Sequence, residues 1–209
     1  MSFFRPLSSF VSVALVSASL WVAPARADDV ADAQSLVKDM MASAVNDFGG
    51  KTLPNDQLEQ IVIGYFGKYA SVPLSSRDIL GRYWARATDD ERIEFQSLMV
   101  EYAIDSWSKQ LNDLSPNQDV TFTTSETTPE GRIVLHSLII NSDTTPVDWQ
   151  VAHAEDGHLV ITDVSIEGAS IVETMKADFT TIIRANHGKI APLLEALRKK
   201  IADYKASGV

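Results

Sequence analysis

Apolar positions along this chain change their period twice. Between Leu36 and Phe48 they fall at Leu36, Val37, Met40, Met41, Ala44, Val45 and Phe48, the spacing of one helix face. Gly49-Gly50 closes that run. Leu58, Ile61, Val62, Tyr65 and Phe66 form a second helical stripe, and Pro73 breaks the chain after it. Ser75 and Asp78 have the spacing of a capping box and predict a helix running through Tyr83 and Trp84. Thr88 and Glu91 repeat that spacing. They open a longer helix whose stripe is Phe95, Leu98, Met99, Tyr102, Ala103, Trp107 and Leu111.

The middle of the chain has period two. Val120 to Ser125 is β-branched and aromatic, and Pro129-Glu130-Gly131 is a turn signal. Ile133 to Ile140 predicts a strand that is apolar on both faces over most of its length. Thr144-Thr145-Pro146 predicts the next turn. Val147, Trp149 and Val151 then alternate with Asp148 and Gln150, so that strand has one apolar face. Glu155-Asp156-Gly157 reads as a hairpin turn. Leu159 and Ile161 have one parity, Val164 and Ile166 the other. Either a bulge near Thr162-Asp163 or a strand buried on both faces reconciles them.

Helical spacing returns at Ile171, Val172, Met175, Phe179, Ile182 and Ile183, behind a third capping-box pair, Ser170 and Glu173. Gly188 is placed to end this helix. Pro192, Leu193, Leu194, Leu197 and Ile201 mark a last one. Helices, antiparallel strands, then helices predict one α+β domain, with helices packed on a curved antiparallel sheet.

The first residues look like an export signal. Arg5 gives a positive start, Phe10 to Val22 is uncharged, and Ala25-Arg26-Ala27 fits a small-x-small cleavage site. We expect residues 1–27 to be a signal peptide cut after Ala27 and residues 28–209 to be the functional domain. The alternative, a membrane anchor, needs about 20 apolar residues, more than this stretch has. No later segment is long and apolar enough to span a bilayer. The chain has 18 Lys and Arg against 28 Asp and Glu, and loss of Arg5 and Arg26 leaves it more acidic still. Such a surface disfavours nucleic acid, whose phosphates require basic contacts. It also disfavours lying flat on an anionic membrane. With no Cys, stability rests on burial without disulfides.

The residues that carry chemistry are sparse. His136, His153, His158 and His187 are spread along the chain, and no nucleophile elbow, zinc-binding helix or phosphate loop occurs. Gly64 and Gly67 lie inside a helical stripe, which rules out a dinucleotide loop. His153 and His158 flank a hairpin turn beside Glu155 and Asp156, a metal site on one reading and a solvated turn on the other. Asp163, between apolar residues of a strand, is either a base in a cavity or a hydrogen-bonded structural carboxylate. We therefore expect no catalytic residue, no metal and no cofactor. Two readings stay open beside a binding protein: a small cavity enzyme using Asp163, and a purely structural interaction module.

Two segments carry a family resemblance. Gly81-Arg82-Tyr83-Trp84-Ala85-Arg86-Ala87-Thr88-Asp89-Asp90-Glu91-Arg92-Ile93-Glu94-Phe95 resembles the "LG-x-(Y/W)W-x-x-A-T-x-x-(Q/E)R-x-x-F" signature of the MlaC, or toluene-tolerance, proteins. Asp163-Val164-Ser165-Ile166-Glu167-Gly168-Ala169-Ser170 is similar to their strand-ending "D-V-x-(V/A)-E-G-V-S". The helix through Phe179 to the Gly188 turn is similar as well. Two positions depart from the pattern: Tyr65-Phe66-Gly67 stands where the family has "F-D", and Leu159-Val160 replaces an aromatic before the Asp163 strand. The resemblance implies a periplasmic phospholipid carrier that holds acyl chains in an apolar cavity. It implies shuttling between an inner-membrane ABC transporter complex with a lipid-binding ring and an outer-membrane lipoprotein complex. A related subgroup is associated with hopanoid lipids, so the cargo is phospholipid or hopanoid. We expect the lining to be drawn from Trp84, Phe95, Met99, Tyr102, Leu135, Trp149, Val151, Val164, Ile166, Met175 and Phe179. Glu167 and Asp163 are expected to hold the strand-to-helix junction, with Gly168 supplying the bend.

Overall fold

A computed structural model describes residues 27–112 and 114–207. The expected export signal, up to Arg26, lies outside these residues, and Ala27 is the first residue of helix α1. The elements are α1 (Ala27–Phe48), α2 (Asn55–Lys68), α3 (Val72–Leu80), a 3-10 helix (Gly81–Arg86), α4 (Asp89–Asn112), β1 (Asp119–Thr127), β2 (Ile133–Ile140), β3 (Thr144–His153), β4 (Leu159–Ile166), β5 (Ala169–Ser170), α5 (Ile171–Ala185) and α6 (Ala191–Ser207). The strands form one antiparallel sheet in sequence order, β1-β2-β3-β4-β5. This is the expected α+β arrangement of helices packed with an antiparallel sheet.

Alternation decides which sheet face is buried. Ile133, Leu135, Ser137 and Ile139 of β2 and Val147, Trp149 and Val151 of β3 all point to the inner face and are almost fully buried. The parity conflict in β4 is resolved by a bulge. Gln150 pairs with Asp163 and Val151 with Ile161, which leaves Thr162 as the extra residue. The bulge lets Ile161 and Val164 face the same way, and it turns Asp163 outward beside Gln150.

Helix α1 covers much of the inner face. Ala33, Val37 and Met41 pack against Leu135, Trp149, Val151 and Ile161 in one apolar cluster. The first half of α1 borders the β3–β4 turn, sharing a cleft with His153, His158 and Leu159. Its far end meets the segment before β1, where Gly50 N–H donates to the Leu114 carbonyl at 3.1 Å. The helix thus crosses the sheet from the start of β4 towards the start of β1. A second cluster is built by the helices and the turns between them, with Leu80, Tyr83, Phe95, Met99, Phe179, Ile183, Leu193 and Leu197 among its members. A third joins the end of α1 to α2 and α4 through Phe48, Leu58, Val62 and Ile104. Helix α4 therefore serves two clusters with opposite faces. The side chains of Trp107 and Leu111, late in its stripe, fall outside the described set.

Two of the three expected capping pairs form. Thr88 N–H donates to Glu91 Oε2 at 2.9 Å while Glu91 N–H donates to Thr88 Oγ1 at 3.2 Å, a reciprocal box. Ser170 Oγ accepts from Glu173 N–H at 2.9 Å. The third expectation is corrected. Ser71, not Ser75, caps α3, accepting from Leu74 N–H at 3.3 Å, and Pro73 sits in the first turn, where no amide is needed. Ser75 instead donates to the Thr162 carbonyl at 2.8 Å, and Asp78 pairs with Arg132. The α-helix also stops at Leu80, so Tyr83 and Trp84 ride on the 3-10 helix. The expected turn at Thr144–Pro146 is likewise a strand, and the chain reverses at Asn141–Asp143. Pro146 is tolerated because its carbonyl, and so its missing amide, faces the end of β4, where only Glu167 N–H reaches it, at 3.0 Å.

The β4–β5 turn places Glu167 at φ 52° and Gly168 at φ 81°. Two left-handed residues in a two-residue hairpin are the pattern of a type I′ turn, which favours Asn-Gly. Glu at the first position is strained. Glu167→Asn should therefore raise stability by about 0.5–1 kcal/mol in equilibrium denaturation; a lower midpoint would show that the Glu167 side chain itself supports the turn.

Candidate functional site

The polar candidates settle into structural contacts. Asp163 Oδ1 accepts from Val164 N–H at 2.8 Å and Val172 N–H at 3.0 Å, while Oδ2 accepts from Ser170 Oγ at 2.5 Å. The carboxylate thus ties β4, the β5 turn and the first turn of α5 together, where it also complements the helix dipole. Next to it Arg132 pairs with Asp78 and donates to Gln150 Oε1 at 2.8 Å. The Asp78 carboxylate beside it pushes the Arg132 guanidinium pKa up. These groups fasten α3 and α5 to the outer side of β3 and β4.

His153 and His158 take separate partners. His153 Nδ1 lies 2.9 Å from the Gly157 carbonyl, and His158 Nδ1 contacts Asp156. Among the described residues no group of three or more His, Asp or Glu side chains converges as metal ligands. The two imidazoles line an open cleft of about 600 Å³ with Asp29, Asp32, Asp39 and Leu159. Its walls are mostly polar. Asp39 also belongs to a latch between α1 and α2: it accepts from Lys68 Nζ at 2.9 Å and from the Tyr69 hydroxyl at 2.8 Å. Those hydrogen bonds, from Lys68 first and Tyr69 second, hold its pKa below the usual carboxylate value.

The apolar candidates divide between two clusters. Trp84, Phe95, Met99, Tyr102, Met175 and Phe179 belong to the helical one. Leu135, Trp149, Val151 and Val164 belong to the sheet and α1. Ile166 stands at the surface. Exposure separates them further. Phe95, Leu135 and Val151 expose none of their area and are fully packed. Trp84, Tyr102, Met175 and Val164 are half-buried and border open space.

Along β4 the inner face opens. Ile161 is 5% exposed, Val164 is half-buried and Ile166 is 47% exposed. Ile166 pairs with buried Val147, and Val164 pairs with buried Trp149. The apolar inner face therefore continues past the edge of the cover that α1 provides and ends in an open corner at the β4–β5 hairpin. The strained Glu167 lies directly beside it. Sequence reasoning missed the other apolar groups that border the inner face, Val30, Leu36 and Met40 on α1 and Phe122 on β1. The α1 stripe held the signal for Leu36 and Met40, but which face of the sheet it covers is a tertiary fact.

A family model described as "MlaC protein" matches residues 34–199. A phospholipid-binding protein from Ralstonia solanacearum, solved in complex with a phospholipid, has the same fold. It superposes with a TM-score of 0.70 at 22% identity, covering 83% of this chain and 99% of that one. No curated protein matches the chain.

Asp163→Ala should cost about 2–3 kcal/mol, the value of hydrogen bonds to a charged acceptor in a partly buried junction. Asp163→Asn keeps an oxygen for the two amides and should cost about 1 kcal/mol. Urea denaturation of both variants checks this; equal stability of wild type and Asp163→Ala would remove the junction role. Below pH 3.8 the Asp39 latch weakens. A carboxylate whose pKa is depressed on folding stabilises above its unfolded pKa and loses that contribution as pH falls through the folded one. The destabilisation by Asp39→Ala should accordingly shrink between pH 6 and pH 2, which paired melts would show.

Proposed function

Because the chain belongs to the MlaC family, we propose that it is a periplasmic lipid carrier. In this reading residues 1–27 direct export and are removed, and residues 28–209 shield acyl chains from water during transfer. Family membership over residues 34–199 carries the proposal. The phospholipid held by the Ralstonia protein of the same fold supports it. The open corner of the inner sheet face, where Val164 is half-buried and Ile166 exposed, supports the reading as the candidate place for the tails.

The task is set by solvation. Moving acyl chains from a bilayer into water costs about 0.8 kcal/mol per CH₂, on the order of 20 kcal/mol for a two-chain lipid. A protein surface that replaces the lost apolar contacts removes most of that barrier without chemistry. We place a tail on the inner face at Val164 and Ile166, against Trp149, with the headgroup at the β4–β5 hairpin. Trp84, Tyr102 and Met175 are the helical candidates that border open space. Nothing in this mechanism needs a catalytic base, and Asp163 is already held by three donors of its own chain. The partners would be an inner-membrane ABC transporter complex and an outer-membrane lipoprotein complex, with phospholipid as the first choice of cargo and a hopanoid as the second.

Protein purified from periplasm without detergent should yield about one lipid per chain on solvent extraction and mass spectrometry, and the species found identifies the cargo. Val164→Asp and Ile166→Asp sit at half-open positions, so they should fold normally yet lose that lipid by about tenfold or more. Lipid-free wild type that also fails to extract lipid from vesicles would contradict the carrier reading.

A further inference from the structure

Two arginines of the 3-10 helix and a third from the distant end of α5 gather at one tyrosine. Arg82 and Arg86, in the 3-10 helix, hold their guanidinium carbons 5.2 and 5.7 Å from the centre of the Tyr83 ring. Arg82 Nη2 also lies 3.5 Å from the Tyr83 hydroxyl, and Arg184, in the last turn of α5, is close enough to act on the same oxygen. The α5–α6 turn closes one side. A Cβ at Gly188, which has φ +81°, would lie 3.4 Å from Arg86 Nη1 and 3.9 Å from the Tyr83 ring. Tyr83 is buried at 5% exposure, whereas all three arginines are exposed.

This cluster gathers cations without a counter-charge. The chain carries 28 Asp and Glu against 18 Lys and Arg. Arg92, Arg132 and Arg198 each pair with a carboxylate. Among the described residues, neither Arg82 nor Arg86 nor Arg184 forms an ion pair. Arg82 and Arg184 act on the Tyr83 hydroxyl and Arg86 lies over its ring; like charges gathered around one side chain repel one another, and an anion placed between them converts that repulsion into attraction. The Tyr83 hydroxyl reports the same field: burial pushes its pKa up, but the hydrogen bonds from Arg184 and Arg82 outweigh this and hold it below the ordinary value.

We propose that Arg82, Arg86 and Arg184 form, around Tyr83, a binding site for a phosphate-class oxyanion, either free in solution or carried on a lipid headgroup. Guanidinium forks match the oxygens of phosphate in bidentate geometry. The Tyr83 hydroxyl accepts from arginine and keeps its own proton to donate to the anion. Three guanidiniums suit the two charges of phosphate better than the single charge of a carboxylate. The site lies on the 3-10 helix and the far end of α5, whereas the open sheet corner lies by the β4–β5 hairpin before the start of α5. It therefore does not rest on the tail-binding reading, and either can fail alone.

The test is a titration of the purified chain with inorganic phosphate at constant ionic strength, chloride making the balance, read by NMR on the arginine Nε–H and Tyr83 ring signals. Saturable shifts at these four residues are expected. Arg86→Ala and Arg184→Ala should each weaken binding by about tenfold, while Lys199→Ala, a remote cation on α6, should leave it within twofold. Absence of saturation, or equal affinity in the arginine variants and wild type, would overturn the proposal. Co-sedimentation with phosphatidylglycerol vesicles, competed by phosphate and lost in Arg184→Ala, would assign the site to a headgroup. Phosphate binding without vesicle binding would assign it to the free anion.

Discussion

One helix is too narrow to cover a sheet of this width. Four long strands at about 4.8 Å spacing span roughly 14 Å between their outer axes, and an α-helix is about 10 Å across with its side chains. Helix α1 crosses the inner face obliquely and packs Ala33, Val37 and Met41 over its middle. Coverage fails at the end of β4, where Val164 is half-buried and Ile166 is exposed. Neither the bulge at Thr162 nor the turn at Glu167-Gly168 relieves this. The bulge in fact creates it, by turning Val164 and Ile166 onto the apolar face.

The polar groups around that corner keep it in place. Asp163 cannot face the apolar side because the bulge has rotated it outward, and there it meets two amides and a hydroxyl of the α5 junction. Arg132, Asp78 and Gln150 fix α3 to the same edge. Ser75 and the Thr162 carbonyl add a further tie at the bulge itself. In the proposed carrier this apolar opening, flanked by a hydrogen-bonded edge, is where tails are accepted without chemical recognition. The helical cluster around Phe95, Phe179 and Leu193 stands apart from it and supports the far end of α5, where the arginines gather.

Much of this was legible in the sequence wherever a local rule was unambiguous. The parity switch between Ile161 and Val164 pointed to the bulge, because side chains alternate with a period of two whatever lies around them. The Thr88–Glu91 box stood out because it precedes a long stripe. Rules with two solutions failed. Ser71 and Ser75 both precede helix-forming residues, and only the position of Pro73 in a first turn decides for Ser71. Pro146 looked like a turn because its strand role depends on β4 ending beside it. Burial was the least legible feature. The stripe that holds Phe95 has the same spacing whether its members are fully packed or, like Tyr102, half-open. The cluster at Tyr83 could not be read at all, since Arg184 reaches it only through the packing of α5.

In the proposed carrier an acyl chain lies against the open corner of the inner sheet face. The most direct measurement places a photoreactive benzoylphenylalanine at Ile166, and as a control at Ile93, which is 67% exposed on α4. The protein is irradiated in its native cell envelope and analysed intact by mass spectrometry. A lipid-mass adduct at position 166 and none at position 93 is the predicted result. Adducts equally abundant at both positions, or none at position 166, would contradict the account.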